Sequence, residues 1–176
     1  FMDLKEYIRS IPDYPKKGIL FRDITTLIKN EKAFINTIDQ IIEKSKNFKI
    51  DKIAAIESRG FVFASAVSYL LKKPFVLLRK KNKLPADTYS VDFQLEYGKA
   101  TIEMHKDSIE KDDSVLVIDD LIATGGTAEA AAKLIGMAGA KVSGFIFVIN
   151  LFDLGGADKL IKNGYKIVNL IEFPGH

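Results

Sequence analysis

The chain has 176 residues, of which 47% are hydrophobic and 28% charged, with a net charge of +3 and no cysteine. These values predict one globular domain spanning residues 1–176, exclude disulfides, thiol catalysis and cysteine-based zinc sites, and give too little positive charge to indicate nucleic acid binding. No apolar run reaches the ~18 residues that a membrane span needs. The lack of cysteine fits a reducing cytoplasm, and we expect a cytoplasmic protein that contacts neither membrane nor nucleic acid.

The N-terminal part predicts two helices separated by an irregular stretch. Residues 3–11 are expected to form a short helix, and the prolines and glycine of 12–18 interrupt regular structure. Residues 19–24 are apolar with a charged pair inside, which we interpret as an extended piece at the edge of the core. Asn30 can cap a helix from Glu31 to about Lys46. Its apolar face is predicted to carry Phe34, Ile35, Ile38, Ile41 and Ile42.

Two short apolar runs, 53–56 and 75–78, predict buried strands, and each leads into polar residues. The first ends in Glu57-Ser58-Arg59-Gly60 before an apolar helix at 61–71. An arginine and a glycine between a buried strand and a helix indicate an anion site at the carboxyl edge of a sheet, although a solvated turn explains this stretch equally well on its own. After the second run, Arg79 to Lys83 place four cations in five positions. Such a run is usually a solvated face, but its place at the same edge favours a functional role.

Residues 88–95 and 99–104 alternate weakly between apolar and polar side chains, with Glu96-Tyr97-Gly98 between them. This pattern predicts a two-stranded ribbon that projects from the sheet. Its polar tip is expected to be mobile.

The most informative stretch is Val115 to Thr127. Residues 115–118 are wholly apolar and mostly β-branched, which is typical of a strand buried on both faces of a parallel sheet. Asp119 and Asp120 stand where that strand should end, and Ala123 to Thr127 lead into a strong helix former that ends near Gly139. The helix N-terminus attracts a phosphate, and the two carboxylates can accept hydrogen bonds from a vicinal diol. This layout suits a phosphorylated sugar; the local alternative is a capped turn with two solvated aspartates.

The C-terminal part continues the alternation of strands and helices. Residues 142–151 predict a strongly apolar strand, Gly155-Gly156 open a short helix to Lys162, and 165–171 predict a final strand. Several buried strands alternating with helices predict an α/β fold, with a Rossmann-like central parallel sheet flanked by helices.

The segment from Asp119 to Thr127 resembles the phosphoribosyl pyrophosphate signature of the type I phosphoribosyltransferases. Nearly the whole chain resembles the adenine phosphoribosyltransferase family. The further matching stretches are Pro12-Asp-Tyr-Pro15, Gly18-Ile-Leu-Phe-Arg-Asp23, Glu57-Ser-Arg-Gly-Phe61, Arg79-Lys-Lys-Asn-Lys-Leu-Pro85 and Leu95-Glu-Tyr-Gly-Lys99. Residues 18–23 and 96–98 are the stretches that point to adenine. The resemblance implies the type I fold, with a small N-terminal hood and a flexible two-stranded loop.

The reaction implied by this resemblance is adenine plus phosphoribosyl pyrophosphate giving AMP and pyrophosphate, a step of purine salvage. It is a Mg²⁺-dependent displacement at ribose C1 through an oxocarbenium-like transition state. Asp119 and Asp120 are expected to hold the ribose hydroxyls and to stabilise the developing cation. The 5′-phosphate is expected to bind Ala123, Thr124, Gly125, Gly126 and Thr127.

The resemblance also implies how the leaving pyrophosphate is held. Mg²⁺ is expected to be bound through substrate oxygens and water, so no closed protein metal site is expected. Arg79 is expected to reach the site of a neighbouring subunit, which implies a homodimer, and the Glu57–Ser58 peptide is expected to be cis. The pyrophosphate residues are predicted to be Glu57, Ser58, Arg59, Gly60, Arg79, Lys80 and Lys83, with Arg59 counted among the catalytic residues.

For the base, the resemblance implies that Glu96 transfers a proton near N7 of adenine. Backbone groups around Leu20 and Arg22 are expected to read the amine and N1. The predicted adenine residues are Ile19, Leu20, Phe21, Arg22 and Leu121. His105 and His176 have no catalytic partner pattern and are expected to be surface or capping residues.

Two alternatives stay open at this point. One keeps the superfamily and changes the base to xanthine, hypoxanthine-guanine or orotate; the strand ending in Asn150 to Asp153 lacks the lysine that reads a 6-oxo group in hypoxanthine-guanine relatives. The other is a regulator that senses phosphoribosyl pyrophosphate and binds RNA or DNA. A regulator requires a basic face, and the only candidate is Arg79 to Lys83.

Overall fold

The computed structural model describes residues 2–95 and 98–176. Its strands are β1 (Arg9–Pro12), β2 (Leu20–Asp23), β3 (Lys52–Ile56), β4 (Phe75–Lys80), β5 (Thr88–Leu95), β6 (Gly98–His105), β7 (Ser114–Ile122), β8 (Lys141–Leu151) and β9 (Ile167–Phe173). Its helices are α1 (Thr25–Ile28), α2 (Glu31–Ser45), α3 (Arg59–Leu71), α4 (Gly126–Met137) and α5 (Gly156–Lys162). Short 3-10 turns cover Leu4–Tyr7 and Phe152–Leu154. No helix among the described residues is both long and apolar enough to cross a bilayer.

The main sheet has the strand order β5-β6-β4-β3-β7-β8-β9 within the described part of the chain. β3, β4, β7, β8 and β9 pair in parallel, so their carboxyl ends lie at one edge. One hydrophobic cluster packs α2 and α3 on this sheet, and a second packs α4 on it. The predicted α/β fold with a mostly parallel central sheet is confirmed. A parallel sheet covered on both faces explains why its strands read as continuous apolar runs.

The predicted ribbon is the hairpin of β5 and β6, and it extends the main sheet. β6 pairs antiparallel with β4 only at Arg79–Glu103 and Lys80–Ile102. The hairpin then lies against the start of α4, since a Cβ added at Gly126 would stand 3.4 Å from the carbonyl oxygen of Gln94. The ribbon prediction is confirmed, but the hairpin covers α4 as well as extending the sheet. Glu96 lies outside the described residues.

The small N-terminal sheet consists of β1 and β2, and these two strands are called the hood below. The predicted helix over residues 3–11 is wrong beyond its first turn. Arg9 is extended because β1 pairs antiparallel with β2, and its side chain forms an ion pair with Asp23 at 2.5 Å. This long-range pairing overrides the local helical pattern.

Several element boundaries differ from the sequence-based expectations. β7 continues to Ile122, so Asp119 and Asp120 lie inside the strand and not after it. α3 begins at Arg59 and β4 extends to Lys80. The Asn30 cap of α2 is confirmed, because the Asn30 side chain accepts a hydrogen bond from the N–H of Ala33.

The predicted core face of α2 is correct except at one position. Ile38 and Ile41 are buried, and Phe34 and Ile42 pack partly buried against the same cluster. Ile35 is wrong, because 52% of it is exposed. The buried face of α2 includes fewer of its isoleucines than the sequence predicts, since only one side of the helix faces the sheet.

Candidate active site

A cavity of about 370 Å³ opens where β3, β4 and β7 end. Most of the predicted site residues meet there, because parallel strands deliver their following loops to the same edge. The predicted residues that line it are Glu57, Ser58, Arg59, Lys80, Asp119, Asp120, Leu121, Ala123, Thr124, Gly125, Gly126 and Thr127. The sequence analysis missed the walls formed by Ile56, Ile122, Ala128 and Phe147. The first three adjoin predicted residues, and this adjacency was the only signal for them.

Residues 123–127 form the phosphate loop, which ends in the first turn of α4. Gly125 has φ +89°, a left-handed conformation that favours glycine. It occupies the N-cap position of α4 and provides no side-chain cap for the helix amides. The first N–H groups of α4 therefore face the cavity edge together with the positive end of the helix, an arrangement that binds phosphate.

The start of α5 supports the phosphate loop from behind. The N–H of Gly156 donates to the carbonyl oxygen of Ala123 at 3.1 Å. A Cβ added at Gly156 would stand 2.4 Å from that oxygen and 2.7 Å from the nitrogen of Gly125. Only glycine fits this contact. Sequence reasoning assigned Gly156 merely to the opening of a helix, because nothing local connects it with the phosphate loop.

Asp119 and Asp120, the acidic pair, project from β7 into the cavity. Asp119 Oδ1 accepts a hydrogen bond from the N–H of Asp120 at 2.8 Å. Burial, and then the neighbouring Asp120 carboxylate, raises the pKa of Asp119 well above its ordinary value. A Cβ at Gly60 would stand 2.8 Å from Asp119 Oδ1, so the start of α3 packs directly on this carboxylate. Gly60, predicted to bind pyrophosphate, thus lies behind Asp119.

Arg59 connects the acidic pair with the hood. Its Nε donates to Asp120 Oδ2 at 2.6 Å, where the Asp120 side chain is only 9% exposed. The Asp120 charge raises the pKa of Arg59. On its other side the Arg59 Cζ lies 6.0 Å from the centroid of the Phe21 ring. Arg59 therefore lies between the Asp120 carboxylate and the Phe21 ring at the edge of the cavity.

Residues 79–83 form the cation loop, and Glu57 holds its beginning. Glu57 Oε1 accepts from the N–H of Lys80 at 2.8 Å and from Arg79 Nε at 3.1 Å. Burial opposes ionisation, but these donors and charges together lower the pKa of Glu57. Lys80 lines the cavity, whereas Arg79 and Lys83 are not among its lining residues. The predicted cis peptide between Glu57 and Ser58 is confirmed.

The predicted adenine residues lie on two elements. Leu121 lines the cavity. Ile19, Leu20, Phe21 and Arg22 belong to the hood or adjoin it and are not among the residues lining the cavity. Phe21 approaches the cavity through its contact with Arg59.

The side chain of Arg22 points towards the C-terminal residues. It donates to Ser10 Oγ at 2.6 Å and to the carbonyl oxygen of Pro174 at 2.9 Å, and its Cζ lies 4.5 Å from the Phe173 ring centroid. The guanidinium of Arg22 is therefore held by the hood and the C-terminal residues.

The remaining predicted groups have a limited structural context. His105 Nε2 accepts a hydrogen bond from the N–H of Ala86 at 3.1 Å, which agrees with a capping role. Glu96, predicted to transfer a proton, lies outside the described residues. Within the described part of the chain, no cluster of three or more His, Asp or Glu side chains could ligate a metal by itself. The carboxylates of the acidic pair are nevertheless hard oxygen donors of the kind that suits Mg²⁺.

Comparison with known proteins adds a consistent set of relatives. The family model of the phosphoribosyl transferase domain matches residues 24–174. A curated relative from Pelagibacter ubique, named adenine phosphoribosyltransferase, is 78% identical over 99% of this chain and 100% of its own. The crystal structure of adenine phosphoribosyltransferase from Thermoanaerobacter pseudethanolicus is similar with a TM-score of 0.93 at 46% identity, covering 97% of this chain and 98% of that one. The Giardia lamblia enzyme complexed with 9-deazaadenine has a TM-score of 0.92 at 34% identity, covering 97% and 96%.

Proposed function

This chain belongs to the phosphoribosyl transferase family, among the adenine phosphoribosyltransferases, and we propose that it converts adenine and phosphoribosyl pyrophosphate into AMP and pyrophosphate. The enzyme is a pentosyltransferase of purine salvage. The observation that carries this function is the meeting of the phosphate loop, the acidic pair and Lys80 in one cavity. These parts match the three polar regions of the sugar substrate: its anionic 5′-phosphate, its neutral diol and its anionic pyrophosphate.

The phosphate loop binds the 5′-phosphate. Its anchoring donors are backbone N–H groups at the start of α4, reinforced by the helix dipole. The hydroxyls of Thr124 and Thr127 add donors on the same loop. Because this end of the substrate does not react, its binding energy orients ribose C1 in the cavity.

The acidic pair holds the ribose. Asp119 and Asp120 accept hydrogen bonds from the 2′- and 3′-hydroxyls, and negative charge beside C1 stabilises the oxocarbenium-like transition state. In the reaction the bond from C1 to the pyrophosphate oxygen breaks and the bond from C1 to N9 of adenine forms. Arg59 donates a hydrogen bond to Asp120, and we propose that its guanidinium also binds the pyrophosphate.

Pyrophosphate leaves through the cationic side of the cavity. Arg59, Lys80 and Lys83 neutralise it, with Gly60 and Ser58 placing the surrounding backbone. When bound, Mg²⁺ supplies charge neutralisation at the pyrophosphate oxygens. The acidic pair would support this ion by holding the sugar hydroxyls, and substrate oxygens and water would supply its ligands.

Adenine lies between the hood and Leu121. Backbone groups of residues 19–22 read the amine and N1, and Phe21 packs near the ring. Support comes from the position of Phe21 beside Arg59 and from the use of the Arg22 side chain elsewhere. Glu96 takes the proton that adenine loses, acting at N7 of the base.

The proposal extends to the assembled protein. We infer a single domain over residues 1–176, located in the cytoplasm and assembled as a homodimer in which Arg79 serves the neighbouring site. Exposed apolar side chains on one side of α3 and on the adjacent β4 support a subunit interface; they are Val62, Tyr69, Leu70 and Leu77.

The test is nucleotide formation from phosphoribosyl pyrophosphate and Mg²⁺ with adenine, hypoxanthine, guanine, xanthine and orotate in parallel. AMP from adenine alone is the expected result. Turnover of another base would keep the sugar-phosphate assignments and contradict the adenine assignments. Tight binding of phosphoribosyl pyrophosphate without turnover of any base would contradict the enzymatic function and favour a sensor.

A further inference from the structure

Glu103 is a buried carboxylate that the reaction described above does not use. It lies on β6, and only 7% of it is exposed. Its Oε1 accepts from the N–H of Asn82 at 2.8 Å, and its Oε2 accepts from the hydroxyls of Ser90 and, at 3.4 Å, Thr88. Burying a carboxylate costs several kcal/mol unless donors satisfy it. The Ser90 hydroxyl first, and then the Asn82 amide, keep the pKa of Glu103 low, so it stays an acceptor at neutral pH.

The contact with Asn82 fixes the far end of the cation loop. Asn82 has φ +65°, a left-handed conformation, in a turn where the N–H of Lys83 donates to the carbonyl oxygen of Lys80 at 3.3 Å. Glu57 holds the near end through the N–H of Lys80. The loop is therefore held at two points by two carboxylates, one on the cavity wall and one on the hairpin.

The same carboxylate connects this loop with the base of the hairpin. Ser90 lies directly opposite Glu103 in the pairing of β5 with β6. The pairing of β6 with β4 ends after Arg79–Glu103 and Lys80–Ile102. Where the sheet pairing stops, the side chain of Glu103 provides the next connection between the hairpin and the cation loop.

We propose that Glu103 is a positioning residue for the pyrophosphate end of the sugar substrate. Glu103 accepts a hydrogen bond from the backbone N–H of Asn82. This bond fixes the position of the cation loop, from which Lys80 and Lys83 contact the pyrophosphate. This inference rests on the function proposed above and assigns to Glu103 no contact with substrate. The predicted adenine residues 19–22 and Leu121 lie on or beside the hood and on β7. We therefore expect a change at Glu103 to affect KM for phosphoribosyl pyrophosphate more than KM for adenine.

The test is a steady-state comparison of Glu103→Met, which keeps the volume and removes both acceptors, with Glu103→Gln. We expect Glu103→Met to raise KM for phosphoribosyl pyrophosphate about 10-fold and KM for adenine less than about 2-fold. Glu103→Gln should stay within about 3-fold of the parent, since its amide oxygen can accept from Asn82 and its NH₂ can donate to Ser90. Thr101→Val is the matched control. It removes the exposed bond between Thr101 and Asp92 on the same hairpin, and should change neither KM.

Parallel increases in both KM values, or no increase with Glu103→Met, would overturn the proposal. So would an equal effect of Thr101→Val. Turnover by the unchanged protein tests the proposed function separately. If turnover is absent, calorimetry with pyrophosphate still tests Glu103, because the Met variant should bind it about 10-fold more weakly.

A measurement on the unchanged protein covers the case in which Glu103→Met does not fold. The Asn82 amide should exchange its hydrogen at least about 100-fold more slowly than an open amide in the free protein, because Glu103 holds it. Unprotected exchange at Asn82 would overturn the proposal.

Discussion

At the scale of single residues, ion pairs within the chain hold most of the charged side chains around the cavity. Asp120 is paired with Arg59, and Glu57 with Arg79. Asp119 differs, since its hydrogen bond comes from a backbone amide and its nearest charge is another carboxylate. Its charged form therefore costs free energy in the folded state. A residue kept at such a cost is a strong candidate for function.

Asp119→Asn should separate activity from stability. Because a hydrogen bond to a charged group contributes about 1.5–3 kcal/mol, we expect kcat/KM to fall about 10- to 100-fold. The pKa of Asp119 is raised in the folded state, so its ionised form destabilises the protein at pH values above that pKa, and the penalty is lost as the pH falls through it. The variant should therefore melt roughly 2–4 °C higher at pH 7.

Calorimetric melting and initial rates measure the two effects of Asp119→Asn. The gain in melting temperature should shrink as the pH is lowered. A variant that is less stable than the parent at pH 7 would contradict the assigned burial cost, and unchanged kinetics would contradict the ribose contact.

At the scale of elements, the site depends on helices and strands that support the loops from outside the cavity. α5 supports the phosphate loop through Gly156. The hairpin covers the first turn of α4, where the carbonyl of Gln94 approaches Gly126. Both contacts join backbone to backbone, but the second belongs to a hairpin that pairs with β4 only at Ile102 and Glu103. We therefore expect a substitution at the start of α5 to damage the phosphate loop, and we expect the hairpin to move when substrates bind.

Gly156→Ala should damage the phosphate loop. Its new Cβ would overlap the Ala123 carbonyl oxygen, so the loop must shift. We expect at least a ~10-fold rise in KM for phosphoribosyl pyrophosphate and a loss of about 1–3 kcal/mol of stability. Gly136→Ala in α4 is the control, because its Cβ meets nothing within 4 Å, and it should stabilise by about 0.5–1 kcal/mol. Equal KM values in the two variants would refute the supporting role of α5.

The segment from about Leu84 to Gly98 should close over bound substrates and exclude water from the activated sugar. β5, which makes up most of this segment, pairs along its length with β6, and β6 pairs with β4 only at Ile102 and Glu103. Hydrogen exchange by mass spectrometry should show slower exchange in this segment when AMP or phosphoribosyl pyrophosphate with Mg²⁺ is bound. The peptides of β8 serve as the control and should not change. Identical exchange of the segment with and without ligands would rule out a lid.

At the scale of the whole molecule, the proposed homodimer would bring Arg79 of one subunit to the site of the other. Arg79 bonds Glu57 of its own chain and does not line the cavity. The apolar side chains exposed on α3 and β4 lie on the elements that carry Arg59 and Arg79 into the sheet edge. An interface there would place Arg79 close to a second subunit.

Mixing two impaired variants tests this arrangement. Arg79→Ala and Asp119→Asn should each be impaired, and a mixture refolded together should regain activity if Arg79 acts across the interface. Random pairing makes half of the dimers mixed, each with one complete site, so about a quarter of the sites should recover. No recovery, in a mixture shown to be dimeric by light scattering, would place Arg79 in its own site.

The sequence by itself determined the features that local pattern and glycine placement encode. Residues 115–127 specify a buried strand, two carboxylates and a helix N-terminus, because each follows from side-chain periodicity and backbone conformation within a few residues. The Asn30 cap is equally local. These features were enough to indicate the sugar-phosphate half of the site.

Only the tertiary structure decided the contacts between segments far apart in the chain. Local sequence pattern does not predict three hydrogen bonds of the site. They join Gly156 to Ala123, Arg59 to Asp120 and Asn82 to Glu103. The same reason explains the errors: β1 is a strand because β2 pairs with it, and Ile35 is exposed because the sheet covers only one side of α2. Pairing and burial are set by the neighbour that the fold supplies, and one stretch of sequence does not contain that neighbour.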